Sequence, residues 1–395
     1  MTARFTGRVP TLWHGRGITS QVITHLSSGR EALVIADSSV SSYVPVGASR
    51  RVIEIDARTA NVETVVRTAR EIVHHKPDVI VAVGGGTVLD ASKLSALALA
   101  RERVFDFAVE RSSRSALTFL PDVPLPVDLV AVPTTLGTSS ETNSVGILKN
   151  ETGFRLVVGR SLRPRHAIID PCNLMTLSRS AVREGTMEAF LRLAGASTSS
   201  GQSDRARNDA VALGRALLDA GTTDSRSASV RLRIARLSAA TQRSGALRGN
   251  HPYSARHWYI ANEVAFVLGV RKMVATAAVI AAVWGRICSG DPRWGDRGNL
   301  ERFWARIAEG TGLPLDPSSG ISTVIQRWGL ALPPRPTGGE VGLIAVAIER
   351  CWGDRLPMLP GLGADDFSEL LRDSLWSPAR RHRTPTSVDL HRGGD

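Results

Sequence analysis

Short, mostly apolar runs mark the N-terminal part of the chain and predict its strands. They lie at residues 32–36, 52–55, 79–83, 129–133, 154–158 and 167–169. Runs of this kind are typical of parallel strands that are buried on both faces. Residues 62–75 carry apolar side chains at helical spacing. Strands that alternate with helices predict a doubly wound parallel sheet, which the last two runs would complete.

The pattern changes after Pro171, where long stretches with helical periodicity replace the strand signals. Helices are predicted at residues 180–197, 209–220, 229–247, 257–269, 272–287, 300–310, 341–352 and 365–375. The predicted fold class is therefore an α/β domain over residues 1–171 followed by an all-helical domain over residues 172–395. A basic tail from about residue 378, which contains Arg380-Arg381-His382-Arg383, is expected to fray.

Composition narrows the range of partners and compartments. The 395 residues are enough for two domains, and no apolar run is long enough for a membrane span. The first residues lack the apolar core of a signal peptide, and the three cysteines show no paired spacing, which favours a cytoplasmic protein with reduced thiols. The net charge of +12 comes from scattered arginines without interleaved aromatic residues, so we expect neither nucleic acid nor membrane as a partner.

Two turns of small residues follow two of the apolar runs and indicate an anion site. Gly84-Gly85-Gly86-Thr87 leads directly into a helical stretch, and Thr134-Thr135-Leu136-Gly137-Thr138-Ser139-Ser140-Glu141 follows the run at 129–133. Turns without bulky side chains let backbone N–H groups approach an anion, and a helix N-terminus favours a phosphate. A single such turn could be an ordinary tight turn, but the pair predicts a nucleotide site.

Taken together, these residues resemble the iron-containing (group III) alcohol dehydrogenase family. That family has Gly-Gly-Gly-Ser-x-x-Asp-x-x-Lys, then Pro-Thr-Thr-x-Gly-Thr-Gly-Ser-Glu, then Pro-x-x-Ala-Ile-x-Asp-Pro, which residues 164–171 match. The resemblance implies a Rossmann-like domain, a helical domain and an active site in the cleft between them. It implies cofactor-binding roles for Gly84, Gly85, Gly86, Thr87, Asp90, Lys93, Thr134, Thr135, Thr138 and Ser139. Asp90 could instead be a first-turn helix charge, and Lys93 a surface residue.

Asp37 follows the predicted strand at 32–36 and bears on the choice of cofactor. A carboxylate at this place can accept hydrogen bonds from a ribose 2′-hydroxyl and repels a 2′-phosphate. We therefore expect NAD rather than NADP. The alternative is an ordinary turn aspartate.

The metal ligands that the resemblance implies are altered in this chain. The family places an Asp and a His four residues apart on one helix, where Glu188 and Arg192 stand here. His257 matches the third ligand, and Lys272, or else Arg271, stands in place of the last histidine. Charged Arg and Lys side chains cannot ligate a cation and would repel it. We therefore expect no iron or zinc site.

Two interpretations of the altered site remain open. In one, the chain is inactive, keeps Glu188 and Arg192 as an ion pair, and serves as a scaffold that binds a partner or peptide. In the other, fixed cations replace the metal, so that Glu188, Arg192, His257 and Lys272 form the catalytic set. His257 would then be the acid/base, because an ordinary imidazole titrates near neutral pH, although it could also be a structural histidine beside Trp258.

The predicted activity is hydride transfer between NAD(P) and a hydroxyl next to an anionic group, by a homo-oligomeric enzyme. A substrate carboxylate would suit the added cations, and oxidation of a β-hydroxy acid gives a β-keto acid that loses carbon dioxide easily. This predicted reaction is similar to that of the dehydrogenases of daptide-type peptide natural products, which oxidatively decarboxylate a C-terminal threonine.

Overall fold

The computed structural model describes residues 10–40, 51–223 and 225–378. The predicted tail from about residue 378, with its basic run at 380–383, therefore lies outside the described residues apart from residue 378 itself. The same holds for the N-terminal residues 1–9 on which the prediction about a signal peptide rests.

A six-stranded parallel sheet forms the centre of the N-terminal part. Its strands are β1 (Thr11–His14), β2 (Ala32–Asp37), β3 (Arg51–Ile55), β4 (Val79–Gly84), β6 (Asp128–Pro133) and β9 (His166–Ile169). They are ordered β1-β9-β6-β4-β2-β3, and all of the pairings are parallel. The predicted doubly wound sheet is thus confirmed. The edge strand β1, which is short and half-exposed, was not predicted.

The register of the sheet brings the predicted turns to one edge. Gly84 pairs with Pro133 across β4 and β6, and Ala36 pairs with Val83 across β2 and β4. Because the strands are parallel, their carboxyl ends meet at the same edge of the sheet. The residues that follow β2, β4 and β6 therefore face a common crevice, which is where open α/β sheets bind ligands.

A second, three-stranded sheet lies beside the first. It contains β5 (Leu117–Phe119), β7 (Val145–Asn150) and β8 (Gly153–Val158) in the order β5-β8-β7. The predicted strand at 154–158 is real, but it belongs to this sheet and does not complete the main one. The antiparallel partner β7 alternates half-buried and buried positions over most of its length, so no continuous apolar run marks it in the sequence.

Among the described residues, four α-helices flank the sheets: α1 (Thr19–Leu26), α2 (Val62–His75), α3 (Gly86–Ala96) and α4 (Val104–Arg114). α2 has the predicted bounds, and it begins at a capping box in which Asn61 and Thr64 satisfy each other's backbone N–H groups. α3 begins directly after the glycine turn, and each of its residues from Val88 to Ala96 is buried. The glycine turn is therefore anchored by a helix in the core.

The described residues from 179 to 378 are mainly helical, as predicted. The helices are α5 (Arg179–Ser197), α6 (Asp204–Thr222), α7 (Ala228–Arg243), α8 (His257–Val267), α9 (Lys272–Cys288), α10 (Arg297–Ala308), α11 (Pro317–Trp328), α12 (Gly338–Trp352) and α13 (Ala364–Asp373). α11 was not predicted, although it has Asp316 as N-cap, Pro317 at its first position and Gly329 in the left-handed conformation at its end. No helix in the described part of the chain is both long and apolar enough to cross a membrane.

The two halves of the molecule touch at a pair of glycines. Gly137, in the turn after β6, has a φ of +95°, and a Cβ atom added there would collide with the backbone of Gly185 in α5. A Cβ atom added at Gly185 would lie 2.6 Å from the carbonyl oxygen of Leu136. Since neither position has room for a side chain, the turn and the helix pack backbone against backbone.

Candidate active site

The glycine turn presents the uncapped end of a helix to the crevice. α3 begins at Gly86, and its N-cap residue Gly85 offers no side chain to its first N–H groups. Helices leave these N–H groups without partners inside the helix, and their dipole favours negative charge there. Thr87 is exposed beside them. The arrangement fits the diphosphate of a dinucleotide.

The second turn packs directly on the first. A Cβ atom added at Gly85 would lie 3.1 Å from Cγ2 of Thr135, and one added at Gly86 would lie 2.8 Å from Cγ2 of Thr138. The backbone N–H of Thr134 donates to the carbonyl oxygen of Gly84 over 3.0 Å. The structure thus brings together the two turns that the sequence singled out. Thr135 and Thr138 stay half-buried at their junction.

Ser139 faces the helical half of the molecule. It is 1% exposed, and its hydroxyl lies 2.9 Å from Oγ of Ser238 and 3.1 Å from the carbonyl oxygen of Ser238 in α7. Its φ of +51° places it in the left-handed region. In the described state this hydroxyl is engaged by the protein, so Ser139 holds the turn against α7, and the predicted contact with a cofactor would need that bond to break.

Asp90 and Lys93 lie beneath the second turn. Lys93 is 1% exposed, and its Nζ donates to Ser140 Oγ at 2.7 Å and to Asn143 Oδ1 at 2.9 Å. It also forms an ion pair of 2.9 Å with Asp90, which accepts from the backbone N–H of Ile147 over 3.1 Å. The interpretation of Lys93 as a surface residue is wrong. The pair fixes the turn from below, and direct contact of either side chain with a cofactor stays a prediction.

Asp37 ends β2 beside Gly84 at the crevice. Its carboxylate accepts hydrogen bonds from the backbone N–H and the hydroxyl of Ser39, at 2.9 and 2.7 Å. These are the bonds of an ordinary turn aspartate. The carboxylate is half-exposed, and its second oxygen makes no hydrogen bond to the described residues. The position of Asp37 at the end of β2 agrees with the prediction. Its contact with the ribose of a cofactor stays a prediction.

Arg192 is bonded into the second turn. Its guanidinium donates to Ser139 Oγ at 2.9 Å, to Thr241 Oγ1 at 2.8 Å, and to the carbonyl oxygens of Gly137 and Thr138. Four of its five N–H groups are therefore used within the protein. The predicted role of Arg192 as a catalytic cation stays a prediction, and these bonds limit it. Arg192 joins α5 and α7 to the nucleotide turn and has at most one donor left for a substrate.

Glu188 and Lys272 face each other without touching. Glu188 has no ion pair with Arg192 within 4.0 Å among the described contacts, so the simple pair considered above does not form. Burial raises the pKa of the Glu188 carboxyl, and Arg192 and Lys272 act in the opposite direction. Burial lowers the pKa of the Lys272 ammonium, which Glu188 favours in its charged form. Nζ of Lys272 lies 5.2 Å from the centre of the Trp258 ring, within the range of a cation–π contact.

Arg271 takes a different partner. Its guanidinium binds Glu184 with both terminal nitrogens, and its side chain is largely exposed. Of the two candidates for the last family histidine, Lys272 is thus the one near Glu188. In the part of the chain that the structure describes, the Lys272 Nζ makes no hydrogen bond or ion pair, so it is available to a ligand.

His257 is buried at the start of α8. It is 2% exposed, its Nε2 has no hydrogen-bond partner among the described residues, and its ring centre lies 4.5 Å from that of Trp258. Burial, reinforced by the nearby Lys272 ammonium, lowers the pKa of His257 to about 3. The expectation that this imidazole titrates near neutral pH is therefore wrong. His257 is neutral at pH 7, and its part as the acid/base stays a prediction under that condition.

Glu141 is a charged residue of the site to which sequence reasoning gave no role. It is 5% exposed, and burial raises its pKa against the opposing effects of Arg192 and Lys93. The signal was present, because Glu141 ends the second turn motif. Its partners Arg192 and Lys93 lie about fifty residues away on either side of it, so only the fold shows that the three form one cluster.

The donor set does not fit the metal that the fold would lead one to expect. Among residues 10–40, 51–223 and 225–378, no group of three or more His, Cys, Asp or Glu side chains could hold a metal ion. Glu188 and His257 are the two donors at the expected place, and the Lys272 ammonium lies close enough to act on both. A tetrahedral or octahedral site needs more donors than these.

The N-terminal part of the chain is similar to iron-containing alcohol dehydrogenases. Residues 10–171 match the model of the iron-containing alcohol dehydrogenase family. The described fold is that of the NADH-dependent butanol dehydrogenase A of Thermotoga maritima, with a TM-score of 0.77 and 16% identity over 93% of this chain and 98% of that one. It is also that of the sulfoacetaldehyde reductase of Bifidobacterium kashiwanohense in complex with NAD⁺, with a TM-score of 0.71 and 16% identity over 94% and 98%.

The sequence is also similar to that of a curated reductase. The chain is 36% identical over 180 residues to the phosphonoacetaldehyde reductase of Streptomyces viridochromogenes, which is 44% of this chain and 45% of that protein. The matched part spans less than half the length of such curated relatives. The predicted fold class is confirmed, while the activity of the whole protein remains to be proposed.

Proposed function

We propose that this protein is an NAD-dependent, metal-independent oxidoreductase that acts on a hydroxyl or carbonyl carbon next to an anionic group. The observation that carries the proposal is Lys272. Its ammonium has no hydrogen bond to the described residues, and it faces Glu188, His257 and Trp258 across from the nucleotide turns. A fixed cation there can hold a carboxylate or stabilise an alkoxide, as a metal would.

The cofactor site supports NAD. The N–H groups at the start of α3 would hold the diphosphate, and the Asp37 carboxylate at the end of β2 would disfavour a 2′-phosphate. Thr135 and Thr138 would lie along the remaining part of the nucleotide. When bound, the nicotinamide supplies the acceptor or donor of hydride.

The chain's own groups can move the remaining proton. The Glu188 carboxyl, whose pKa is raised by burial, is the group we assign to accept the hydroxyl proton. The Lys272 ammonium then stabilises the oxygen or orients the substrate's anionic group. His257, neutral at pH 7, is left to orient the substrate with an uncharged ring nitrogen. Arg192 keeps the turn in place.

The substrate class follows from the charge of the site and from the relatives. The phosphonoacetaldehyde and sulfoacetaldehyde reductases are named for substrates with an anionic group beside the aldehyde. A β-hydroxy acid has the same relation of oxygen and charge, and a peptide that ends in threonine is one example. Oxidation at its hydroxyl carbon would give a β-keto acid, which loses its carboxylate as carbon dioxide and takes up a proton at the adjacent carbon. The proposal extends to a homo-oligomer in the cytoplasm.

The test compares matched acids and amides as substrates in the formation of reduced NAD. A peptide that ends in threonine with a free carboxylate, and 3-hydroxybutyrate, are each compared with the corresponding amide. We expect turnover of an acid and poor turnover of its amide. Lys272→Met should lower kcat/KM for the acid by about a hundredfold, the scale of a lost charge-assisted contact, with NAD affinity nearly unchanged. The exposed Lys149 provides the control, since Lys149→Met should behave as the wild type.

Three outcomes would contradict the proposal. A neutral alcohol that is oxidised efficiently by both wild type and Lys272→Met would remove the role of the cation. About one iron or zinc ion per chain, with activity lost on its removal, would remove metal independence. NAD binding without turnover of any acid or amide would favour the inactive scaffold considered from the sequence.

A further inference from the structure

A second cavity lies within the helical half of the molecule, formed by residues other than those of the nucleotide crevice. Its volume is about 570 Å³, which is within the range of small-molecule sites. Helices α5, α6, α10 and α11 contribute to it. Its apolar wall includes Leu218, Ile307, Val324 and Trp328, each less than 9% exposed. None of these residues takes part in the site described above.

Three arginines from three different helices line the cavity: Arg183 of α5, Arg215 of α6 and Arg327 of α11. Arg183 donates to the carbonyl oxygen of Trp328 over 2.8 Å, and Arg327 donates to that of Gly312 over 2.9 Å. In the described part of the chain, neither has a carboxylate partner within ion-pair distance. Burial lowers the pKa of Arg183, and the like charge of Arg179 adds to this effect.

The acidic side chains near the cavity are already paired. Asp219, which also lines it, forms an ion pair of 2.9 Å with Arg233. Arg215 forms an ion pair of 3.2 Å with Glu309, whose side chain is exposed at 74%. The cavity wall therefore carries positive charge that the described protein does not neutralise. Convergent guanidinium groups over an apolar floor recognise an anion with an apolar body.

We propose that this cavity binds a small organic anion, a carboxylate or sulfonate attached to an apolar body of one or two rings. The anionic group meets Arg327 and Arg183 at the polar side, and the apolar body lies against Trp328 and Val324. The inference does not rest on the proposed dehydrogenase activity, because the two sites share no residue.

Calorimetry on the full chain with naphthalenesulfonate as probe tests the proposal, and naphthalenesulfonamide is the neutral control compound. We expect the sulfonate to bind and the sulfonamide to bind at least about tenfold more weakly, as for loss of a charge-assisted contact. Arg327→Met should weaken sulfonate binding by about tenfold, and Arg327→Lys by less. The control Arg297→Met removes an exposed arginine of α10 that pairs with Glu301 away from the cavity, and should leave binding unchanged.

A second variant tests the space independently of the charge. Thr222 lines the cavity from an exposed position, so Thr222→Trp should reduce binding while all three guanidinium groups remain. Equal binding of sulfonate and sulfonamide would overturn the proposal, as would an equal loss in Arg297→Met. Displacement of the probe by NAD would place it in the nucleotide crevice. An oligomer that dissociates in Arg327→Met, without probe binding to the wild type, would identify the cavity as an interface between copies.

Discussion

Arg192 ties three elements of the molecule together through its hydrogen bonds. Its guanidinium, which extends from α5, donates to Ser139, Thr241 and two backbone carbonyl oxygens. Partly buried charges of this kind are stable only when hydrogen-bonded. Arg192 is therefore a positioning residue, which holds α5, α7 and the second turn in one arrangement.

The hydrogen bonds of Arg192 should matter for both stability and cofactor binding. Arg192→Met should lower the free energy of unfolding by about 3 kcal/mol, because it leaves several buried acceptors without a donor. NAD affinity should fall at the same time, since the turn loses its tie to α5. Arg192→Lys should lower the free energy of unfolding and the NAD affinity by less than Arg192→Met does. Lysine keeps the positive charge but has fewer hydrogen-bond donors than arginine.

Thermal unfolding and NAD titration of the same samples check this prediction. Arg236→Met, which removes an exposed arginine of α7, is the matched control and should change neither quantity. If Arg192→Met kept full stability and NAD affinity but lost only turnover, Arg192 would be a catalytic cation after all.

The strand–turn–helix unit of β4 and α3 is the element that the sequence predicted best. Its strand, turn and helix are contiguous, so the apolar run and the three glycines define it without knowledge of the fold. The contacts that this unit makes with distant residues, such as those of Lys93, could not be predicted in the same way. The partners of Lys93 are some fifty residues away in the turn that follows β6. No local pattern in the sequence indicates which distant polar residues will be buried against each other.

Elements that depend on distant partners were the ones missed. The edge strand β1 is short and pairs with β9 more than 150 residues later, at positions such as Trp13 with Ile168. The small sheet combines β5 with β8, which are separated in the sequence by β6 and β7. Alternating or brief apolar patterns carry little signal until the partner strand is known.

Gly85, in the turn after β4, has little room for a branched side chain. A Cβ atom there already lies 3.1 Å from Thr135, so Gly85→Val would put two further methyl groups between the turns and over the helix N-terminus. We expect NAD affinity to fall by more than about tenfold, because the N–H groups can no longer approach the diphosphate. Calorimetry measures the affinity, and circular dichroism should show that the fold is retained. Gly339→Val, in open space on α12, should leave the affinity unchanged. Unaltered NAD binding in Gly85→Val would place the cofactor elsewhere.

At the scale of the whole molecule, the crevice depends on how closely the two halves approach. The strand and helix patterns predicted a change of fold class near Pro171, and the family resemblance implied a site between the two parts. The sequence could not predict that Gly185, inside a helix, contacts the turn of Gly137. A glycine within a helix lowers helix stability, so its presence indicates that packing requires it. Only the fold shows that the requirement is the close approach of the turn to the helix.

Gly185→Ala would place a Cβ atom 2.6 Å from Leu136 Cβ and 2.6 Å from the Leu136 carbonyl oxygen, so the turn or the helix must shift. Overpacking of this kind costs about 1–3 kcal/mol, which should exceed the helix-propensity gain of about 1 kcal/mol and lower the melting temperature. Gly342→Ala is the matched control, because it also lies within a helix, α12, and has open space around it. It should raise the melting temperature through propensity alone. Since the turn carries Thr135 and Thr138, Gly185→Ala should also weaken NAD binding, although Gly185 lies outside both turns. A Gly185→Ala protein that is stabilised as much as Gly342→Ala, with unchanged NAD affinity, would show that the two halves do not need this contact.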